Sequence, residues 1–410
     1  MNSAHLAVIS IVALLSLGCP APQAQEQIRE PVRPEQQLVA RFDSLLQAMM
    51  SATELPGAAA CVVIDTSVVM LRGYGVREAG TTDSVDANTV FRIASVSKGF
   101  ASVLTGLLVQ DSVLRWDDPV VSYLPEFRLK DAGQTQRVTL RHVLSHTTGL
   151  PYHAFTNMLE HGTDPRTLLR RLHTVPLIAR EGTVYSYQNV GYSIIAHVIG
   201  AATGKSFEEM LRERIFLPLR MTNASADYET ITHGTNVALP HRRQHAGWRV
   251  QRISRMYYNA TPAGGVNASI SDMARWVGAL LGNAPGVIPQ ATLDTVFAPF
   301  VHAPAGHRSF GHWPGVRSCW YGMGWRVVTM AEDTVVYHGG YVNDYRCELM
   351  LNRKERVGVC VMTNAPGELA NTVIPGFLQL YDAYRDARMH PGVLAGEPSP
   401  STHTMQSDGK

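Results

Sequence analysis

The chain predicts an α/β fold of the α+β kind: an antiparallel sheet formed by N- and C-terminal strands, flanked by helices, with a mainly helical lobe inserted between the two sets of strands. Three observations predict it. Residues 58–65 and 67–75 are β-rich runs around a short polar turn, the signature of a hairpin. Residues 321–330, 334–340, 347–353 and 356–364 supply four more such runs near the other end, separated by Ala331-Glu332-Asp333, a Gly-rich stretch and Arg353-Lys354-Glu355. Between these ends, apolar residues recur at helical spacing. The cleft between sheet and lobe is the natural place for a site.

Taken in order, residues 6–18 (LAVISIVALLSLG) form an apolar run of signal-peptide length, followed at once by a polar Pro/Gln segment, and read as an export signal within residues 1–24. Its n-region carries no Lys or Arg. Two processing readings stand: cleavage near Gly18 or Ala24, or lipidation of Cys19 after a loosely lipobox-like Ser16-Leu17-Gly18. The protein is therefore expected to be exported, periplasmic or extracellular, either free or held by a lipid anchor at Cys19. Residues 36–50 place Leu38, Val39, Phe42, Leu45, Leu46 and Met49 on one helical stripe. In the lobe, residues 94–112 and 189–204 carry helix-period apolar residues, while Ser206/Glu209 and Ser269/Asp272 have the spacing of capping boxes opening two further helices. One domain over residues 35–388 is expected, then a tail over 389–410, rich in Pro, Gly, Ser and Thr, with too little to bury to be ordered.

With 45% apolar and 17% charged residues among 410, the chain has material for a sizeable core. A net charge of +2 with scattered basic residues gives no electrostatic footprint for nucleic acid or an anionic membrane. The 16 histidines include no H-x-H, H-E-x-x-H or paired C-x-x-C, so neither a metal nor any other cofactor is implied, and the spaced pairs His142/His146 and His241/His245 read as structural. No later segment is apolar for long enough to span a bilayer. Cys61, Cys319, Cys347 and Cys360 are too far apart for a metal knuckle; small buried thiols are the simplest reading, and export leaves a disulfide open.

The chemistry rests on three short motifs. A serine hydroxyl is a weak nucleophile and needs an adjacent base and a donor-lined site. G-x-S-x-G is absent, but Ser95-Val96-Ser97-Lys98 opens an apolar helical run. Positions i and i+3 share a helix face, so Lys98 can reach Ser95, and the helix N-terminus stabilises developing negative charge. Tyr187-Gln188-Asn189 precedes a second helical run, although Tyr257/Asn259 and Tyr341/Asn343 also fit Y-x-N. His338-Gly339-Gly340 lies in a strand-like run, where glycines let a substrate backbone approach.

In this order the motifs resemble those of the class C β-lactamases, DD-peptidases and related serine esterases and peptidases, and the likeness covers most of residues 35–365. Residues 91–127 are similar to that family's nucleophile helix and following loop, 138–151 to its L-L-S-H-T-S-G-L segment, 185–225 to its Y-x-N region, 261–277 to its A-G-G segment, and 337–340 fall where it carries K-T-G or H-x-G. The resemblance implies a β-lactamase/transpeptidase-like fold and a serine hydrolase that forms an acyl-enzyme at Ser95. By the same resemblance Lys98 activates the serine and Tyr187, its pKa lowered by Lys98, shuttles protons. Asn189 holds the substrate amide, the backbone N–H groups of Ser95 and Tyr341 form the oxyanion hole, and His338, Gly339 and Gly340 line the cleft. His338 replaces the lysine of true class C enzymes and Gly339 lacks a carboxylate-binding hydroxyl, departures that weigh against efficient β-lactam hydrolysis; the partner the resemblance implies is a small molecule or peptide: a β-lactam, a peptidoglycan-like D-amino-acid peptide or a small ester. Arg346 is a candidate to replace the lost cation, and His146 has a scaffold role. Loops 151–180 and 285–320 are expected to shape the substrate pockets. A non-hydrolytic penicillin- or cell-wall-peptide-binding protein of the same fold is the alternative.

Overall fold

The computed structural model describes residues 33–389 apart from 246, 305–309, 311, 312 and 332, and all of residue 370 but its side chain. The expected export signal, Cys19 and the tail beyond Met389 lie outside the described residues.

The hairpin read in the sequence is β1 (Gly57–Ile64) with β2 (Ser67–Gly75). The short β3 (Val90–Arg92) pairs with β6 (Asn267–Ser269), and β4 (His241–Gln244) with β5 (Gly247–Val250). The C-terminal strands are β7 (Val301–His302), β8 (Val316–Tyr321), β9 (Arg326–Met330), β10 (Thr334–Val342), β11 (Tyr345–Asn352) and β12 (Val357–Thr363). The main sheet is antiparallel in the order β2-β1-β12-β11-β10-β9-β8-β7, so the two ends of the chain meet where β1 pairs with β12, Cys61 opposite Cys360. Every residue of β1 and β12 is buried, which is why both are unbroken apolar runs rather than alternating ones.

Each face of the sheet builds its own core. Along β1, Ala59, Cys61 and Val63 face the helical lobe, while Ala58, Ala60, Val62 and Ile64 face the helices Pro34–Thr53 and Leu369–Met389. The first of these helices buries Leu38, Phe42, Leu46 and Met50, with Val39, Leu45 and Met49 at the margin of the expected stripe. The second is absent from the sequence reading because Pro375 stands inside it. It nevertheless covers the sheet, with Phe377 edge-on to Phe42 at 5.0 Å between ring centroids.

In the lobe, Ser97–Gln110, Asn189–Thr203 and Ile270–Gly278 are helices, and both expected capping boxes form, Ser206 with Glu209 and Ser269 with Asp272. One strand begins later than its sequence suggests. Residues 322–324 turn, Gly324 taking φ +78°, and β9 starts only at Arg326. The turn docks the sheet on the helix Ser97–Gln110: a Cβ on Gly324 would lie 2.6 Å from Lys98 O, and one on Gly99 2.2 Å from the Trp325 ring. The thiols of Cys61, Cys319, Cys347 and Cys360 are free and buried, Cys347 and Cys360 Sγ being 3.8 Å apart. Among the described residues no helix is long and apolar enough to cross a membrane.

Candidate active site

Ser95 leaves β3 through a strained turn. Ala94, a non-glycine residue, takes φ +50°, a conformation that costs about 1 kcal/mol or more and persists only where its surroundings impose it. Ala94 is fully buried, and the 3-10 turn Ala94–Val96 runs directly into the helix Ser97–Gln110. Ser97 Oγ accepts from Val266 N at 3.0 Å, tying the turn to the Gly264-Gly265 segment.

Lys98 has no exposed surface. Its Nζ lies 3.2 Å from Ser95 Oγ, 2.9 Å from Asn189 Oδ1 and 2.7 Å from Ala263 O. Burial, reinforced by the Arg326 guanidinium, holds its pKa well below the usual lysine range. In its neutral form, which this lowering favours, the amine has two protons and one lone pair. Two fixed carbonyl acceptors take the protons, so the lone pair is left for the Ser95 hydroxyl, the arrangement a general base requires.

Tyr187 donates its hydroxyl to Ser95 Oγ at 3.0 Å, with Lys98 Nζ 4.6 Å from its ring centroid. The expectation of a lowered pKa is overturned. Burial pushes the phenol up and outweighs the opposing effects of Arg326 and the Ser95 hydrogen bond, so Tyr187 is a neutral donor. His146, at φ +58°, holds this segment: its Nδ1 accepts from Gln188 N at 3.1 Å, its carbonyl accepts from Ser186 N, and its ring lies 4.4 Å from that of Tyr187. His142 closes a capping box with Thr139. Both histidines are scaffold.

β10 passes beside Ser95, and β9 pairs only with its residues 334–337, so residues 338–342 have no β9 neighbour and offer an open edge. A Cβ on Gly339 would meet Tyr337 Oη at 2.4 Å and Glu348 Oε2 at 2.7 Å, which explains why no hydroxyl-bearing side chain stands there. His338 comes within 6.4 Å of the Tyr187 ring but is fully buried, its Nε2 near Tyr321 Oη at 3.2 Å and its Nδ1 near Gly339 O at 2.8 Å. Burial, with the Arg326 guanidinium, holds its pKa well below the usual histidine range, so it brings no charge to a substrate near pH 7. Tyr341 is half exposed and donates to Asp344 Oδ1. Asn189, expected to hold a substrate amide, has both ends of its carboxamide engaged by Lys98 and Tyr257.

The sequence reading missed Arg326. Its guanidinium carbon lies 5.8 Å from the Tyr187 ring centroid and 6.0 Å from that of Tyr321, and the phenols of Tyr185, Tyr321, Tyr187 and Tyr337 surround it. A lone arginine at a strand start has no local signature; only the pairing of β9 with β8 and β10 brings it to Ser95. Arg346, the cation the sequence suggested, is instead within 3.3 Å of Glu348. His153, also missed, has its ring 5.6 Å from the Tyr187 ring, tilted against it, and donates its backbone N–H to Tyr187 O.

Comparison with known proteins agrees with this architecture. "Unguisins hydrolase ungD'" of Aspergillus campestris (strain IBT 28561) is 26% identical over 341 residues, 79% of this chain and 61% of that protein. "Protein flp" of Staphylococcus aureus (strain N315) is 23% identical over 342 residues, 80% of this chain and 63% of that one. The chain thus spans about three-fifths of the length of these relatives. The octameric penicillin-binding protein homologue from Pyrococcus abyssi shares the fold, with a TM-score of 0.75 at 22% identity over 84% of this chain and 77% of that one. The Beta-lactamase family model matches residues 42–377, taking in the nucleophile turn, the lobe and the sheet, and the chain belongs to that family.

Proposed function

We propose that the protein is a serine hydrolase that forms an acyl-enzyme at Ser95 and cleaves an amide or ester bond. One observation carries the reading: the Ser95 hydroxyl stands between the buried Lys98 amine at 3.2 Å and the Tyr187 phenol at 3.0 Å, beside an open strand edge. Lys98 takes the Ser95 proton as Oγ bonds to the substrate carbonyl carbon, and the oxyanion is held by the backbone N–H groups of Ser95 and Tyr341. The C–N or C–O bond then breaks, the leaving group taking its proton from Tyr187, which the Lys98 ammonium replenishes. Water repeats the cycle on the acyl-enzyme.

The substrate class follows from the cations. His338 is neutral and Gly339 has no hydroxyl, so a carboxylate cannot be held as in a lysine-bearing site; Arg326, beside the Tyr187 ring, supplies the charge instead. The candidate substrates are carboxylate-bearing: a D-amino-acid peptide, a small ester or a β-lactam. The apolar run at 6–18 supports export, with a lipid anchor at Cys19 as the alternative to simple cleavage. Turnover of a D-alanyl peptide, a reporter penicillin and an aryl ester by wild type and Ser95→Ala tests the reading. Turnover of none, or equal turnover by both proteins, contradicts it, whereas a slow, stable penicillin adduct would favour a non-hydrolytic binding protein.

A further inference from the structure

A chain of hydrogen bonds runs away from the nucleophile on the far side of Lys98. Asn189 Oδ1 accepts from Lys98 Nζ at 2.9 Å, Asn189 Nδ2 donates to Tyr257 Oη at 2.7 Å, and Tyr257 Oη donates to Glu160 Oε1 at 2.7 Å. Tyr257 is built into this place at some cost: it is buried, takes φ +66°, and its ring rests on Gly264, where a Cβ would lie 3.2 Å from its Cγ. Asn259 Nδ2, donating to Thr163 O at 3.2 Å, clamps the same segment to the end of the helix Thr156–Glu160.

A phenol has one proton. Because Glu160 accepts it, Tyr257 can only accept from Asn189, so the amide presents its NH₂ to Tyr257 and its oxygen to Lys98. We propose that Tyr257 and Glu160 are positioning residues for the acylation step, fixing the Asn189 carboxamide so that the Lys98 lone pair remains free for Ser95. The inference rests on the acyl-enzyme reading. With the chain broken, the amide can turn over and donate its N–H to the Lys98 lone pair. That turn stabilises the neutral amine while occupying it, so the base titrates at lower pH and works less well.

The test uses the full chain and a fluorophosphonate probe, with the rate of Ser95 labelling followed by intact mass across pH. Tyr257→Phe is expected to label roughly 10- to 100-fold more slowly on the alkaline plateau, the scale of a misplaced catalytic group, with the acid limb moved to lower pH. Glu160→Met, at a partly exposed position, is expected to give the same pattern, Glu160→Gln to recover most of the loss through its amide oxygen, and the double variant Tyr257→Phe/Glu160→Met to be no worse than either alone. Wild-type rates and pH profile in both single variants would overturn the proposal while leaving Ser95 as nucleophile. A slowed plateau with an unmoved limb, or additive losses, would also overturn it, showing a merely structural role. Failure of wild type to be labelled at Ser95 would overturn the acyl-enzyme reading and the proposal with it. If Tyr257→Phe does not fold, the Glu160 variants alone decide.

Discussion

Gly340 touches the nucleophile turn through backbone alone: a Cβ on it would lie 3.0 Å from Ser95 N and 2.4 Å from Ile93 O. The strand that borders the substrate and the turn that carries the serine therefore share one close contact, which only glycine permits. Gly340→Ala is expected to separate them, moving the Ser95 and Tyr341 N–H groups apart. Stopped-flow acylation by an aryl ester should slow by about 100-fold or more, and an unchanged rate would show the contact to be dispensable.

Tyr187 is held neutral by burial, so its contribution should depend on how much the leaving group needs a proton. Tyr187→Phe is expected to cost about 100-fold with an alkyl amide or alkyl ester and less than about 10-fold with an activated aryl ester. Equal losses across the series, measured as kcat/KM, would instead make Tyr187 a base.

Arg326 lowers the Lys98 pKa through its charge and is the proposed anchor for a substrate carboxylate. Removing it by Arg326→Leu leaves burial alone to depress Lys98, so the Lys98 pKa should rise and the acid limb of acylation by an uncharged ester should move to higher pH. KM should rise for a carboxylate-bearing ester and hold for its methyl ester. A fixed limb with an unselective KM change would contradict both roles.

The large features of this molecule were legible in the sequence because they are periodic or local. β1 and β12 read as strands since both faces are covered, and Ser206/Glu209 and Ser269/Asp272 read as caps since a capping box is a four-residue device. Ser95 and Lys98 were legible for the same reason, being one turn apart. Arg326 and Tyr257 were not, because each reaches the site through pairing or packing with segments far off in the chain. The protonation of Tyr187 was also out of reach, since it depends on burial that no motif encodes. The helix Leu369–Met389 was hidden by Pro375.

Glu348 stands on β11 opposite Gly339, hydrogen-bonded by Tyr337 and close to Arg346, and burial pushes its carboxyl up to about 7 from 4.5. Between these pH values the unfolded chain has released the proton and the folded chain retains it, so the contribution of Glu348 to stability is full below 4.5 and is lost as pH rises to 7. Glu348→Gln removes that loss. Its advantage over wild type in chemical denaturation should be absent near pH 4 and grow to on the order of 1–3 kcal/mol above pH 7; a pH-independent difference would show that Glu348 does not titrate there.

The central claim is that Ser95 becomes acylated, and intact mass tests it most directly. Wild type mixed with an excess of an activated aryl ester and quenched in acid within the burst should gain the mass of one acyl group, and peptide mapping should place it on Ser95. Ser95→Ala should gain none. An adduct of equal yield on the alanine variant, or one mapped to any other residue, would contradict the account.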